Sequence, residues 1–379
     1  MKNNKLIVKT KSKTYPIYFG YNILNITGKL IKKNLSDVKK ICIISDNKLP
    51  QVLLKKLVKS LKRYNLKIYK LPVSEKTKTL NVANKIIEQL LQDNFNRSDC
   101  IISFGGGIVG DLSAFISSVT KRGMKFINIP TPLVAQSDAS IGGKTSINSI
   151  QGKNLIGTFY QPDFVLTDIY MLNSLPRREI ICGYGEILKH SLILNRKFFL
   201  WLSKYAKKII NNKDKNILKK AVIKSCKIKS QIVNKDEREK NLRMILNFGH
   251  TFAHGFEGAK NFSKKINHGE AVLLGMTIAN QLAYNKKILP LKDLMLVKKH
   301  YFDLNLPRKI SNFFKKTEIN KIIYFMKNDK KNFDEKINLI LLKKIGKTIK
   351  PNSFNIDSGE LKNFFIKNYT EKSSFYFNF

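Results

Sequence analysis

Three of the chain's five histidines fall between positions 250 and 268. In Asn247-Phe248-Gly249-His250-Thr251-Phe252-Ala253-His254 two imidazoles stand four residues apart, which on a helix puts both on one face. His268-Gly269-Glu270 brings the third, just ahead of the helix-like run Ala271 to Ala279. Histidine is the commonest metal ligand and the side chain that titrates nearest neutrality. The cluster reads as a metal site or a proton-handling site; the plainer alternative is a set of core histidines bonded to backbone. Glu186, Lys189 and His190 lie at i, i+3 and i+4 on a predicted helix. They form either a solvated charged stripe or the source of a carboxylate: Glu186 completes a His2Glu zinc site with two of the histidines, leaving a position for substrate. Arg243 and Asn247 precede His250 by seven and three residues, a spacing that predicts one shared helical face. Asn247 lies in an apolar run and needs a polar partner if buried.

A second kind of chemistry is suggested by glycine. Gly105-Gly106-Gly107-Ile108-Val109-Gly110-Asp111 follows a predicted strand and opens a helix. It satisfies GxGxxG, the spacing that lets backbone amides approach a pyrophosphate at a helix N-terminus. A tight turn is the alternative, and no acidic residue follows at the usual ribose-binding distance. Ile141-Gly142-Gly143-Lys144-Thr145-Ser146 and Gly152-Lys153-Asn154 combine close backbone approach with cationic and amide donors for an anion. They lack the spacing of a P-loop.

The elements that must position these groups fall into two halves. Lys40 to Asp46, Lys67 to Leu71, Cys100 to Phe104 and Lys125 to Pro130 read as strands. Leu53 to Tyr64 and Leu80 to Gln92 read as the helices between them, and the chain start alternates toward a strand. This alternation predicts an α/β fold: an N-terminal Rossmann-like parallel-sheet domain, residues 1–175, followed by an all-α C-terminal domain, residues 176–379. Ser174-Leu175-Pro176 marks the helix entry at the boundary, and Arg178 to Leu194, Ile217 to Val233 and Glu270 to Asn285 are the main helical runs beyond it.

Composition narrows the class. The formal charge is +43, from 70 Lys and Arg against 27 Asp and Glu. The basic residues are nearly all Lys, dispersed and interleaved with Asn and Ile, as AT-rich coding sequence favours. They do not cluster on one element as in a nucleic-acid module, so no specific nucleic-acid partner is expected. Cys42, Cys100, Cys182 and Cys226 are scattered without CxxC spacing and read as buried thiols in a reducing compartment. With neither a signal-peptide pattern nor a bilayer-length apolar run, a cytoplasmic protein without membrane contact is expected.

Taken together, these motifs resemble the 3-dehydroquinate synthase family of the shikimate pathway, one of the sugar phosphate cyclases, over nearly the whole chain. Phe104 to Asp111 looks like that family's nicotinamide-cofactor loop. Gln136 to Thr145 and Gly152-Lys153-Asn154 look like its substrate and cofactor loops. Asp236 to Glu239, Arg243, Asn247, His250 and His254 match its helical core, and Asp329-Lys330-Lys331 resembles a late lysine motif. The resemblance implies NAD+ held by Asp46, Glu75, Lys78, Gly107, Ile108, Val109, Gly110, Asp111, Thr131, Pro132, Lys144, Lys153, Met171, Leu172, Asn173 and Ser174. It implies Zn2+ or Co2+ on Glu186, His250 and His268. Lys144, Asn154, Lys189, Lys229, Glu239, Arg243, Asn247 and His254 are then the catalytic or substrate-contacting residues, with one of Lys330 or Lys331. Arg122 resembles an arginine that reaches the phosphate from a neighbouring subunit, which implies a homodimer. Three positions depart from the family pattern. Pro132 replaces a usual Thr, removing a hydroxyl and a backbone donor; Gly185 stands for Ala and His190 for an aromatic Tyr.

The activity so implied converts 3-deoxy-D-arabino-heptulosonate 7-phosphate, a sugar phosphate, to 3-dehydroquinate and phosphate. A related sugar phosphate cyclase, or a metal-dependent polyol dehydrogenase with net NADH formation, is the alternative. The anion-binding loops around Lys144 and Lys153 favour a phosphorylated substrate.

Overall fold

The computed structural model describes residues 4–211, 213–328 and 336–370. The chain forms two compact units: residues 1–180 with 212–238, and residues 181–211 with 239–379.

In chain order the first unit holds β1 (Asn4–Lys9), β2 (Thr14–Gly20), α1 (Thr27–Asn34), β3 (Lys40–Asp46), α2 (Gln51–Ser60), β4 (Asn65–Leu71), α3 (Leu80–Gln92), β5 (Cys100–Gly105), α4 (Gly107–Val119) and β6 (Lys125–Pro130). The hairpin β7 (Lys144–Ser149) and β8 (Gly152–Phe159) and the strand β9 (Phe164–Asp168) follow. The next helices are α5 (Arg177–Leu194), α6 (Arg196–Ile210) and α7 (Lys215–Lys235). α7 returns to the first unit, whereas α6 and all but the first turn of α5 lie in the second.

Seven strands make one sheet in the order β1-β2-β9-β6-β5-β3-β4, parallel throughout except for the β1–β2 pair. Its central strands are apolar on both faces, as a sheet covered by helices on both sides requires. Ile41 and Ile43 of β3 pack in a cluster with Leu53 and Leu57 of α2. The alternate residues, Cys42 and Ile44, pack with Ile86 and Leu90 of α3 and Leu112 of α4. Each fully buried Ile contributes about 1.5–3 kcal/mol. Burial also pushes the thiols of Cys42, Cys100 and Cys226 above the usual range, which leaves them unreactive.

The parallel topology collects the functional loops at one edge. From β3 the chain pairs β4 on one side and then β5 on the other, so the direction of winding reverses between β3 and β5. Ligands of such sheets bind beyond the carboxyl ends of the strands at that switch. Asp46 ends β3, Gly105 ends β5, Thr131 follows β6, and Met171, Leu172, Asn173 and Ser174 lie in the 3-10 turn after β9.

The second unit is mainly helical. It adds α8 (His250–Ala259), α9 (His268–Asn285), α10 (Leu291–Asp303) and α11 (Ile319–Lys327). The short strands β10 (Lys336–Asn338), β11 (Leu342–Lys344), β12 (Lys347–Thr348) and β13 (Asn355–Asp357) form two ribbons before α12 (Ser358–Thr370). These ribbons are an addition to the all-α reading. Among the described residues no helix is long and apolar enough to cross a membrane.

Candidate functional site

In the first unit α4 begins at Gly107, directly after β5, so its unsatisfied N-terminal amides sit at the carboxyl edge of the sheet. Gly107, Ile108, Val109 and Gly110 form its first turn, and Asp111 follows one position on. Lys78, almost wholly buried, ion-pairs with Asp111 and donates to Asn154 Oδ1 at 2.5 Å. Ser146 donates to Asp111 Oδ2 at 3.2 Å and to Asn154 Oδ1 at 2.9 Å. Burial raises the pKa of Asp111, while Lys78 pulls it down. Lys153 pairs with Glu75 at 3.2 Å, and Asn148 Nδ2 donates to both the carbonyl and the carboxylate of Glu75 at 2.9 Å. Asn148 Oδ1 also accepts the Asn154 backbone N–H at 3.0 Å, holding Asn154 at a φ of 57°.

Five expected cofactor or substrate residues, Glu75, Lys78, Asp111, Lys153 and Asn154, are therefore one polar network. Asn148 joins it from outside every motif, and Ser146, the last residue of the Ile141–Ser146 motif, joins it although that motif assigned it no role. The anion loops around Lys144 and Lys153 are in fact the strands β7 and β8, with Lys144 opening the hairpin.

Lys229, on α7, donates to the Asp138 carbonyl and pairs with its carboxylate, both at 2.8 Å. Asp138, inside the Gln136–Thr145 stretch but given no role of its own by that motif, lies in a π turn, Ala135–Ala139. Asp46 accepts the Lys48 N–H at 2.8 Å. Thr131, Met171 and Leu172 are buried; Asn173, Ser174 and Arg122 are exposed. Pro132 directly follows Thr131 beyond β6, and its ring lies 3.4 Å from where a Gly106 Cβ would stand.

In the second unit three helices bring the donor atoms together. Glu186 projects from α5, His250 opens α8 and His268 opens α9. Close backbone approach makes this possible. A Cβ on Gly269 would sit 2.2 Å from Cys182 Cα, so α9 reaches α5 only with glycine beside His268. Gly249, at φ +80°, caps α8, and a Cβ there would sit 2.9 Å from Met276 N on α9. This left-handed break corrects the single-face reading of Arg243, Asn247 and His250. Leu242–Asn247 is a separate 3-10 segment, not an extension of α8. Within it Arg243 is buried and Asn247 donates to Glu239 Oε1 at 2.9 Å.

The geometry at the centre is specific. His250 Nε2 and His268 Nε2 each stand 3.6 Å from Glu186 Oε1, and the three donor atoms lie within 4.8 Å of one another. Donors about 2.1 Å from a tetrahedral ion are roughly 3.4 Å apart, so Zn2+ or Co2+ fits this set. Each imidazole is held by its other nitrogen. His250 Nδ1–H donates to the Phe248 carbonyl and His268 Nδ1–H to Glu257 Oε2, both at 3.3 Å. Both partners are acceptors, which leaves each Nε2 lone pair for the centre.

Burial drives the pKa of His250 well below its ordinary range, with Lys189 adding repulsion. Burial opposes charge on His268 as well, but Glu257 and Glu186 outweigh it and raise that residue to about 10, so a metal ion uses its Nε2 only by displacing the proton there. Lys189, 2% exposed, pairs with the 1%-exposed Glu186. His254 lies edge-on to His250, with ring centroids 5.9 Å apart. His190 is fully buried on α5. Lys330 and Lys331 lie outside the described residues.

Comparison with known proteins decides the family. Residues 68–182 match the family model for the 3-dehydroquinate synthase N-terminal region, and residues 183–332 match that for its C-terminal region. The chain belongs to the 3-dehydroquinate synthase family. A relative named 3-dehydroquinate synthase from Pelagibacter ubique (strain HTCC1062) is 50% identical over 351 residues, covering 93% of this chain and 95% of the relative. The fold matches a crystal structure of 2-deoxy-scyllo-inosose synthase complexed with carbaglucose-6-phosphate, NAD+ and Co2+, with a TM-score of 0.85. That match has 24% identity and covers 96% of this chain and all of the other. ValA, a 2-epi-5-epi-valiolone synthase from Streptomyces hygroscopicus with NAD+ and Zn2+ bound, matches with a TM-score of 0.82 at 20% identity, covering 96% and 98% of the two chains. Both share the fold of this chain.

Proposed function

We propose that this protein is a 3-dehydroquinate synthase, converting 3-deoxy-D-arabino-heptulosonate 7-phosphate to 3-dehydroquinate and phosphate in the aromatic biosynthesis of the cytoplasm. The observation that carries this reading is the convergence of Glu186, His250 and His268 in a chain of this family. The reaction oxidises C5 transiently, eliminates phosphate, restores the alcohol, opens the ring and closes it by an intramolecular aldol step. When bound, NAD+ and Zn2+ or Co2+ supply a reversible hydride acceptor and Lewis acidity at the oxygen being oxidised.

The protein's own residues bind, orient and handle protons. In the first unit Gly107 to Gly110 present α4's amides to the pyrophosphate. Glu75, Lys78, Asp111 and Lys153 form the surrounding polar wall, and Lys144, Asn154 and Lys229 offer donors to substrate oxygens. In the second unit Lys189, Arg243 and Asn247 serve the substrate's charged and hydroxyl groups. His254 handles a proton beside His250, and Glu239 aligns the Asn247 amide. Incubation with the heptulosonate phosphate, NAD+ and Zn2+ tests the reading: phosphate and a carbocyclic product are expected in equal amounts, and phosphate release without ring formation would contradict it.

Arg122 is proposed to reach the substrate phosphate of a second subunit in a homodimer. It sits exposed in a turn where Lys121, Arg122 and Gly123 all have positive φ, at 51°, 59° and 112°. Non-glycine residues there cost roughly 1–2 kcal/mol each. The Met124 N–H to Ser117 carbonyl bond at 2.8 Å and the Tyr160 hydroxyl on the Met124 carbonyl at 2.5 Å fix the turn. Arg122→Ala should lower kcat/KM about tenfold to a hundredfold, the loss of one charge-assisted contact. Mixing it with metal-deficient His250→Ala subunits should restore part of the activity, because one mixed site then keeps both residues. No recovery in verified mixed dimers would remove the shared-site role.

A further inference from the structure

The two imidazoles at the centre are not held alike. His250 is steadied by a main-chain carbonyl two residues before it. His268 is steadied by a side chain, Glu257, which no motif singled out. We infer that Glu257 is the positioning residue that makes His268 a metal ligand, an inference that rests on the metal site proposed above. Glu257 lies seven residues beyond His250 on α8, two turns along the same face. One helix thus contributes both a ligand and the group that aims a second ligand.

The need for such a group is visible in the surroundings. His268 is the first residue of α9, and its side chain keeps 39% exposure, so packing alone does not set the ring's rotation. Glu257 is 17% exposed and aims Oε2 at Nδ1. A carboxylate there fixes the Nδ1–H tautomer, turns Nε2 toward Glu186 and makes it a stronger donor, the part outer carboxylates play at metal-bound histidines. Glu270, the acid nearest His268 in sequence, is used differently. It closes a capping box with Asn267, accepting that residue's N–H at 2.9 Å.

The test uses the full-length protein. Zn2+ affinity is measured by competition with a chromogenic chelator, and Co2+ loading by its visible absorption spectrum. Glu257→Ala should weaken Zn2+ binding about tenfold to a hundredfold and change the Co2+ spectrum. Glu257→Gln keeps an acceptor oxygen without the charge and should fall between wild type and Ala. The Gln variant carries the test if the Ala variant does not fold. Wild-type affinity and an unchanged Co2+ spectrum in both variants, with His268→Ala still losing metal, would overturn the role of Glu257 alone. Failure of the wild-type protein to bind Zn2+, or full retention of metal by His268→Ala, would instead overturn the metal site and this inference with it.

Discussion

His250→Ala and His268→Ala are each expected to lose tight metal binding and turnover together while the chain stays folded. Each removes one of three donors from a set whose spacing suits one tetrahedral ion. His250 opens α8 and His268 opens α9, where truncation leaves helix and cap in place. Glu186→Gln should abolish the same functions at a larger cost in stability. It leaves the buried Lys189 without its carboxylate, and breaking such a pair costs about 3–5 kcal/mol. Metal content by atomic absorption, turnover and thermal unfolding separate these effects. Unchanged metal content and activity in all three variants would remove the assignment.

Gly107→Val is expected to abolish NAD+ binding with little effect on folding. A Cβ at Gly107 would meet only Ala139 Cβ, at 3.9 Å, an ordinary contact. The folded protein tolerates a Cβ at this position, whereas a pyrophosphate resting on α4's first turn leaves no space for a side chain. Loss of even one charge-assisted hydrogen bond is worth about 1.5–3 kcal/mol, roughly tenfold to a hundredfold in Kd. Titration calorimetry reads this directly, and wild-type NAD+ affinity in the variant would give the glycine turn another purpose.

The sheet was legible because its central strands are short, Ile-rich and buried, and are bounded by polar or turn-forming residues. Lys40–Asp46 and Lys125–Pro130 could be read residue for residue, and Leu80–Gln92 from its helical period. The hairpin of β7 and β8 was hidden because glycine, lysine and asparagine occupy it, a composition that reads as loop although Gly157 permits the close pairing. A Cβ at that glycine would lie 2.0 Å from the Thr145 carbonyl. β2 and β9 carry no turn signal strong enough to delimit them.

At the centre, histidine's rarity exposed His250, His254 and His268. Asn148 and Glu257 lie in no motif, and Asp138 and Ser146 lie in motifs that assign them no role; what each does is set by the other segments folded against it. The 3-10 segment before His250 escaped notice because a glycine within an apolar run does not announce its φ.

The measurement that bears most directly on the proposed chemistry follows NADH and phosphate in one reaction. Hydride taken from C5 must return before product leaves, so NAD+ acts as a catalyst. With excess NAD+ and the heptulosonate phosphate, free phosphate should rise many-fold above the enzyme concentration while NADH absorbance stays at or below it. NADH that accumulates in step with substrate consumed would contradict a cyclase and identify a dehydrogenase.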